Sequence, residues 1–130
     1  MILSHILRYC GEIKQITERF GDSIDAFRND FAYRHACTMC ILQIGELSAR
    51  LTDDFKQVYD GMPWKNIKAM RNIFVHDYNN LNIDTTWDTI KENIPMLSAY
   101  CSDILNQYKV LEQPALEIDY AKKDEDDLEL

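Results

Sequence analysis

A chain of 130 residues, 46% hydrophobic and 28% charged, has the size and balance of one soluble globular domain, and its four Gly and three Pro are too few punctuators for an all-β fold. No apolar run approaches the roughly 18 residues of a membrane span, and the start MILSHILRYCGEIKQ lacks a signal-peptide pattern, so membrane and secreted classes are set aside. The net charge of -8 is concentrated beyond residue 111, where eight acids face two lysines; residues 1–111 carry 14 acids and 12 bases and leave room for a local basic patch.

In chain order, Ile2, Ile6, Tyr9, Ile13, Ile16 and Phe20 recur at spacings of three and four and predict an amphipathic helix. Gly21-Asp22-Ser23 ends it, with Ser23 placed to cap the next. A long helix is expected over 24–51, with a break near Asn29-Asp30, followed by a short turn or helix from Thr52 to Tyr59. Pro63 ahead of Trp64 suits the start of a third major helix reaching about His76, which Asn79-Asn80 helps to end. Asp84-Thr85-Thr86 is read as the cap of a final helix through Leu111, kinked or restarted near Pro95. No stretch alternates with period two for long enough to make a strand. The expected architecture is an all-α, up-and-down bundle of four or five helices in residues 1–111, with 112–130 as an acidic tail.

Cys37 and Cys40 form a C-x-x-C, a spacing also met in redox motifs and half zinc sites. They lie inside the helical run HACTMCILQIGELSARL with no second close Cys or His pair, so core packing is the reading, and no metal ligands are assigned. Four unpaired cysteines in a chain without a signal pattern fit a reducing cytoplasm.

Chemistry concentrates between Lys65 and Tyr78. Lys65, Lys68 and Arg71 are spaced by three, and residues 56–71 hold four bases against the single acid Asp60. His76 follows Arg71 by five residues and Tyr78 lies two further on, whereas His5 and His35 sit within helical runs and lack that setting. Taken singly, each has a plain structural reading. His76 is also what a dipole-favoured helix end looks like, Lys65 and Lys68 a solvated face, and Tyr78 a packed ring with its hydroxyl at the surface. Arg71 and His76 are about 140° apart on a straight helix, while Asn72 and His76 share a face.

The segments IGELSARL, WKNIKAMRN with its W-x2-I, and RNIFVHDY resemble the HepT-type HEPN proteins, over about residues 1–107 with Trp87 and Pro95 included. That family comprises the toxin partners of minimal nucleotidyltransferase antitoxins, and its R-x4-H-x-Y hallmark is met by Arg71, His76 and Tyr78, with the polar Asn72 after the arginine. The resemblance implies a HEPN-type bundle in a symmetric dimer that sets two motifs around one cleft. It implies a metal-independent endoribonuclease toxin without a cofactor. In such a site His76 of each copy serves as base or acid, Arg71 holds the scissile phosphate, and Asn72 orients His76 or touches the phosphate. Lys65 and Lys68 are weaker candidates for RNA contact, and Tyr78 is the implied acceptor of AMP. The implied partners are RNA, the antitoxin and a second copy, the dimer standing alone or within a larger hetero-oligomer; no membrane partner is expected. A non-catalytic helical subunit that binds nucleotide or partner is the alternative. Two questions stay open at this stage: whether Glu46 faces the cleft or makes a helix salt bridge, and whether the acidic tail is simply solvated or folds over the cleft or a partner.

Overall fold

The first helix, α1 (Ile2–Phe20), ends because Gly21 adopts φ 111°, a conformation that L side chains rarely take, while its N–H closes onto the Thr17 carbonyl at 2.9 Å. The computed structural model describes residues 1–111, and the tail read over 112–130 lies outside them. Ser23 Oγ accepts the Ala26 N–H at 3.3 Å and opens α2 (Ile24–Asn29), so the expected cap is in place. The expected break falls at Asp30. Its backbone is extended, which ends α2, and its Oδ1 accepts the Ala32 N–H at 2.9 Å, which starts α3 (Phe31–Ala49). Thr52 Oγ1 caps α4 (Asp53–Val58) through the Phe55 N–H at 3.1 Å. Pro63 precedes α5 (Trp64–His76), and a 3-10 turn, Tyr78–Asn80, follows it.

The expected cap at Asp84-Thr85-Thr86 is corrected by two residues. Asn82 Oδ1 accepts the Thr85 N–H at 3.0 Å and starts α6 (Ile83–Asp88), because Asn82 has the extended backbone that a cap needs. Asp84 instead sits in the first turn, where a carboxylate is favoured by the helix dipole, and reaches Arg28 of α2 at 3.4 Å. Before Pro95 the helix widens into a π turn, Thr89–Asn93, and then continues as α7 (Ile94–Leu111). Proline has no N–H to give to the preceding turn and its ring crowds the carbonyl there; the π turn absorbs both, which is the expected irregularity at Pro95 in concrete form.

Four long helices, α1, α3, α5 and α7, form the up-and-down bundle, and the three six-residue helices join or prolong them. The fold is all-α, as the sequence predicts. α3 lies between α1 and α5, and α1 lies between α3 and α7. That central position is why α3 buries residues on most of its circumference, Tyr33, Cys37, Cys40, Ile41, Ile44 and Leu47 among them. Phe20 stacks on Tyr33 with ring centroids 5.1 Å apart, so α1 and α3 run in opposite directions. Asp22, just past α1, pairs with Lys91 at 2.6 Å, so α7 begins beside the end of α1. Aromatic rings fill both ends: Phe20, Phe27, Tyr33 and Trp87 at one, Phe55, Tyr59, Trp64, Tyr100 and Tyr108 at the other.

All four cysteines are buried. Burial pushes the thiols of Cys10, Cys37 and Cys101 up to about 12 and that of Cys40 to about 11. The C-x-x-C therefore packs in the core, as its helical setting predicts. Among the described residues no helix is long and apolar enough to cross a membrane.

Candidate active site

α5 supplies most of the candidate residues, and its helical geometry sorts them. Projected at about 100° per residue, Val75, Lys68, Asn72, Lys65, His76, Ala69 and Ile73 span one arc of about 160°. All seven are exposed. Lys65, Asn72 and His76 occupy the middle of that arc, with the apolar Val75 and Ile73 at its edges, 50% and 55% exposed. Trp64, Ile67 and Phe74 face the core.

Arg71 lies at the border between the two faces, and its surroundings explain the glycine in the IGE segment. α5 crosses α3 at Gly45, so closely that a Cβ there would stand 2.5 Å from Arg71 Cβ. With no side chain at Gly45, the arginine stem lies flat against α3. Its Nη1 meets Glu46 Oε1 at 3.0 Å, which answers the open question over Glu46: it pairs with Arg71 across two helices. Arg71 Nε is buried and has no hydrogen-bond partner. A buried N–H without an acceptor is costly, and it is the Nη1 pair with Glu46 that holds this guanidinium in place.

His76 closes α5, where the chain turns. The Asp77 N–H returns to the Ile73 carbonyl at 2.9 Å, and the Asp77 carboxylate accepts from Asn80 Nδ2 at 2.7 Å. The N–H groups of Asn80 and Leu81 reach the carbonyls of Asp77 and Tyr78, each at 3.1 Å. Asp77 thus shapes the turn that holds Tyr78. That turn aims the Tyr78 ring back at α3, where its hydroxyl is hydrogen bonded to His35 Nδ1 and the two ring centroids are 5.4 Å apart.

Glu46 and His35 thus touch α5 and its following turn from the two ends of one strip on α3. Phe31, His35, Met39, Leu42 and Glu46 follow at spacings of four, four, three and four, all on one side of the helix. Phe31 and Met39 are 67% and 55% exposed. The strip and the α5 arc both expose apolar side chains, and the arc carries Lys65, Lys68 and His76 between its apolar edges.

The fold places Arg71 and Asn72 on successive residues of α5 and Lys65, Lys68, Asn72 and His76 on its exposed arc. It does not set Arg71 and His76 on the same side of α5 within one chain. His35 is the residue that local spacing passes over, because its partner Tyr78 lies 43 residues away in sequence.

The family model "Ribonuclease HepT-like" matches residues 6–104. "Putative RNase TTE0752" of Caldanaerobacter subterraneus subsp. tengcongensis is 32% identical over 108 residues, covering 82% of this chain and 94% of its own. "Probable ribonuclease HepT" of Thermococcus cleftensis is 37% identical over 88 residues, 66% of this chain and 80% of its own. No solved structure matches the chain.

Proposed function

The chain belongs to the HepT-like ribonuclease family, and we propose that it is a metal-independent endoribonuclease toxin of a prokaryotic toxin–antitoxin pair, acting as a symmetric dimer and silenced by AMP transfer to Tyr78. The observation that carries this reading is the composition of the α3–α5 surface. Arg71, paired with Glu46 at the border of the α5 arc, is followed by an exposed Asn72 and, one turn on, an exposed His76, with apolar side chains exposed at the edges of that arc.

Cleavage of RNA by its own 2′-hydroxyl needs one group to take the 2′ proton and another to protonate the departing 5′-oxygen. An imidazole titrates in the range that serves both. One chain offers one His76, and a two-fold axis through the α5 arc offers two. In the dimer, one His76 draws the proton as the 2′-oxygen attacks phosphorus, and the other returns a proton to the 5′-oxygen as the P–O bond breaks, leaving a 2′,3′-cyclic phosphate. The Arg71 Nη groups hold the scissile phosphate and stabilise its charge as the bond order changes. Asn72, one turn before His76, steadies the imidazole or meets the phosphate, and Lys65 and Lys68 hold neighbouring phosphates of the strand. The second copy also supplies what Phe31, Met39, Ile73 and Val75 lack, a surface to be buried against. A nucleotide on Tyr78, two residues past His76, adds bulk and negative charge at this cleft and competes with RNA for Arg71.

The deciding experiment is RNA cleavage in EDTA by wild type and His76→Ala, with the product ends identified. Cleavage by wild type alone, leaving cyclic or 3′-phosphate ends, is the expected result. Equal cleavage by His76→Ala removes His76 from the mechanism. No cleavage by a folded, dimeric, unmodified wild type moves the reading to a binding subunit.

A further inference from the structure

Tyr78 is one of seven tyrosines, and its hydroxyl is joined to a histidine ring nitrogen supplied by a different helix. Tyr33 makes the contrast plain. It gives its O–H to the Gly21 carbonyl at 3.1 Å, and burial raises its phenol above the ordinary value, so it is a locked core ring. His35 is exposed, and Phe31, one turn earlier, packs against it with centroids 5.8 Å apart. Beside the pair is a cavity of about 280 Å³, lined in part by Phe31, Arg34, His35, Tyr78, Leu81 and Ile83. Its apolar and aromatic walls suit a nucleobase. Arg34, held by Nη1 hydrogen bonds to the carbonyls of Phe27 and Arg28, fixes a cation at the same wall.

We propose that His35 is the proton acceptor that activates Tyr78 as a nucleophile, an inference resting on the reading above that Tyr78 receives AMP. A phenol attacks poorly while it keeps its proton, and a neutral imidazole in hydrogen-bond contact removes it as the new bond forms. With the imidazole proton on Nε2, Tyr78 Oη donates to His35 Nδ1. A nucleoside triphosphate presented by the nucleotidyltransferase partner is attacked at its α-phosphorus by Tyr78 Oη. The Oη–P bond forms, the bond from the α-phosphorus to the bridging oxygen breaks, and pyrophosphate leaves with that electron pair. The phenolic proton passes to Nδ1, and the exposed imidazole returns a proton to solvent through Nε2. The cavity beside the ring then receives the base of the attached nucleotide.

The test compares wild type, Tyr78→Phe, His35→Asn and His35→Ala as full chains. One readout is acetylation of Tyr78 by N-acetylimidazole, followed by peptide mass spectrometry; the other is AMP incorporation from ATP with the cognate nucleotidyltransferase. Asparagine keeps a hydrogen-bonding group near the Nδ1 position and has no basicity, so it separates ring positioning from proton acceptance. His35 is exposed, and circular dichroism melts of both variants are expected to match wild type. Both variants are expected to lose about tenfold or more in both rates near neutral pH and to recover as rising pH ionises the phenol directly. Wild-type rates in His35→Asn overturn proton acceptance by His35. AMP incorporation that proceeds equally in wild type and both variants overturns the inference alone. A wild type that takes no AMP while its acetylation still depends on His35 overturns the AMP-acceptor reading of Tyr78, and the transfer step with it.

Discussion

Gly45 lies where α3 meets the Arg71 stem and the Ile67 carbonyl of α5. A Cβ added there meets Cβ and Cγ of Arg71 at 2.5 and 2.9 Å, atoms that cannot swing aside as a side-chain end can. Gly45→Ala must push α5 outward. Overpacking of this kind costs about 1–3 kcal/mol, against the roughly 0.5–1 kcal/mol that Ala gains over Gly within a helix. The expected outcome is a lower urea midpoint together with weaker RNA cleavage, because the same displacement moves Arg71 from Glu46. Arg71→Ala is expected not to rescue the stability, since the clashing Cβ remains; a Gly45→Ala chain as stable as wild type would refute the packing argument. The candidate residues on α5 and its following turn are legible from spacing, because Arg71, Asn72, His76 and Tyr78 fall in one short stretch whose chemistry is visible together. Gly45 under Arg71 and His35 against Tyr78 are not legible that way. Each is one half of a contact between distant parts of the chain, and nothing near it in sequence names the other half.

At the scale of the element, the boundaries are readable wherever a single residue does the punctuating. Gly21, Ser23, Thr52 and Pro63 fall in short breaks between periodic runs, and each begins or ends a helix in the structure. The start of α6 is not fixed by composition, because Asn82, Asp84, Thr85 and Thr86 are all capping types, and backbone conformation picks Asn82. Asp30 has two duties, since its extended backbone ends α2 and its carboxylate caps α3. Asp30→Ala keeps the first and loses the second, so a cost of about 1 kcal/mol, within the 0.5–2 usual for a lost cap, is expected in urea unfolding. Asp30→Asn, with an oxygen still able to accept the Ala32 N–H, is expected to stay within a few tenths of wild type. A loss in Asp30→Asn as large as in Asp30→Ala would show that charge, and not the cap, is what α3 requires there.

Across the whole molecule, two surfaces set conditions for stability, one inside and one outside. Inside, the folded chain keeps its thiol protons to about pH 11–12, whereas an unfolded thiol releases its proton near the ordinary value of 9.0. Between those values the unfolded state binds fewer protons, so this contribution to stability is complete below pH 9 and falls as pH rises toward 12. Iodoacetamide at mildly alkaline pH should therefore label the native chain far more slowly than the denatured one, and rapid native labelling of Cys37 or Cys101 would contradict their burial. Outside, Ile73 stands in the α5 arc between Ala69 and His76 and is exposed in the single chain. A charge there leaves the core untouched and opposes burial against a second copy. Ile73→Glu is expected to retain its helical circular dichroism and to elute, by light scattering, at the 15.3 kDa of one chain. It should lose RNA cleavage at the same time, because a lone chain brings one imidazole to a reaction that needs a base and an acid. Ile73→Leu, which keeps the apolar contact, should remain dimeric and active. An Ile73→Glu chain that is monomeric yet cleaves at the wild-type rate would place both proton transfers within one protomer and remove the need for a shared cleft.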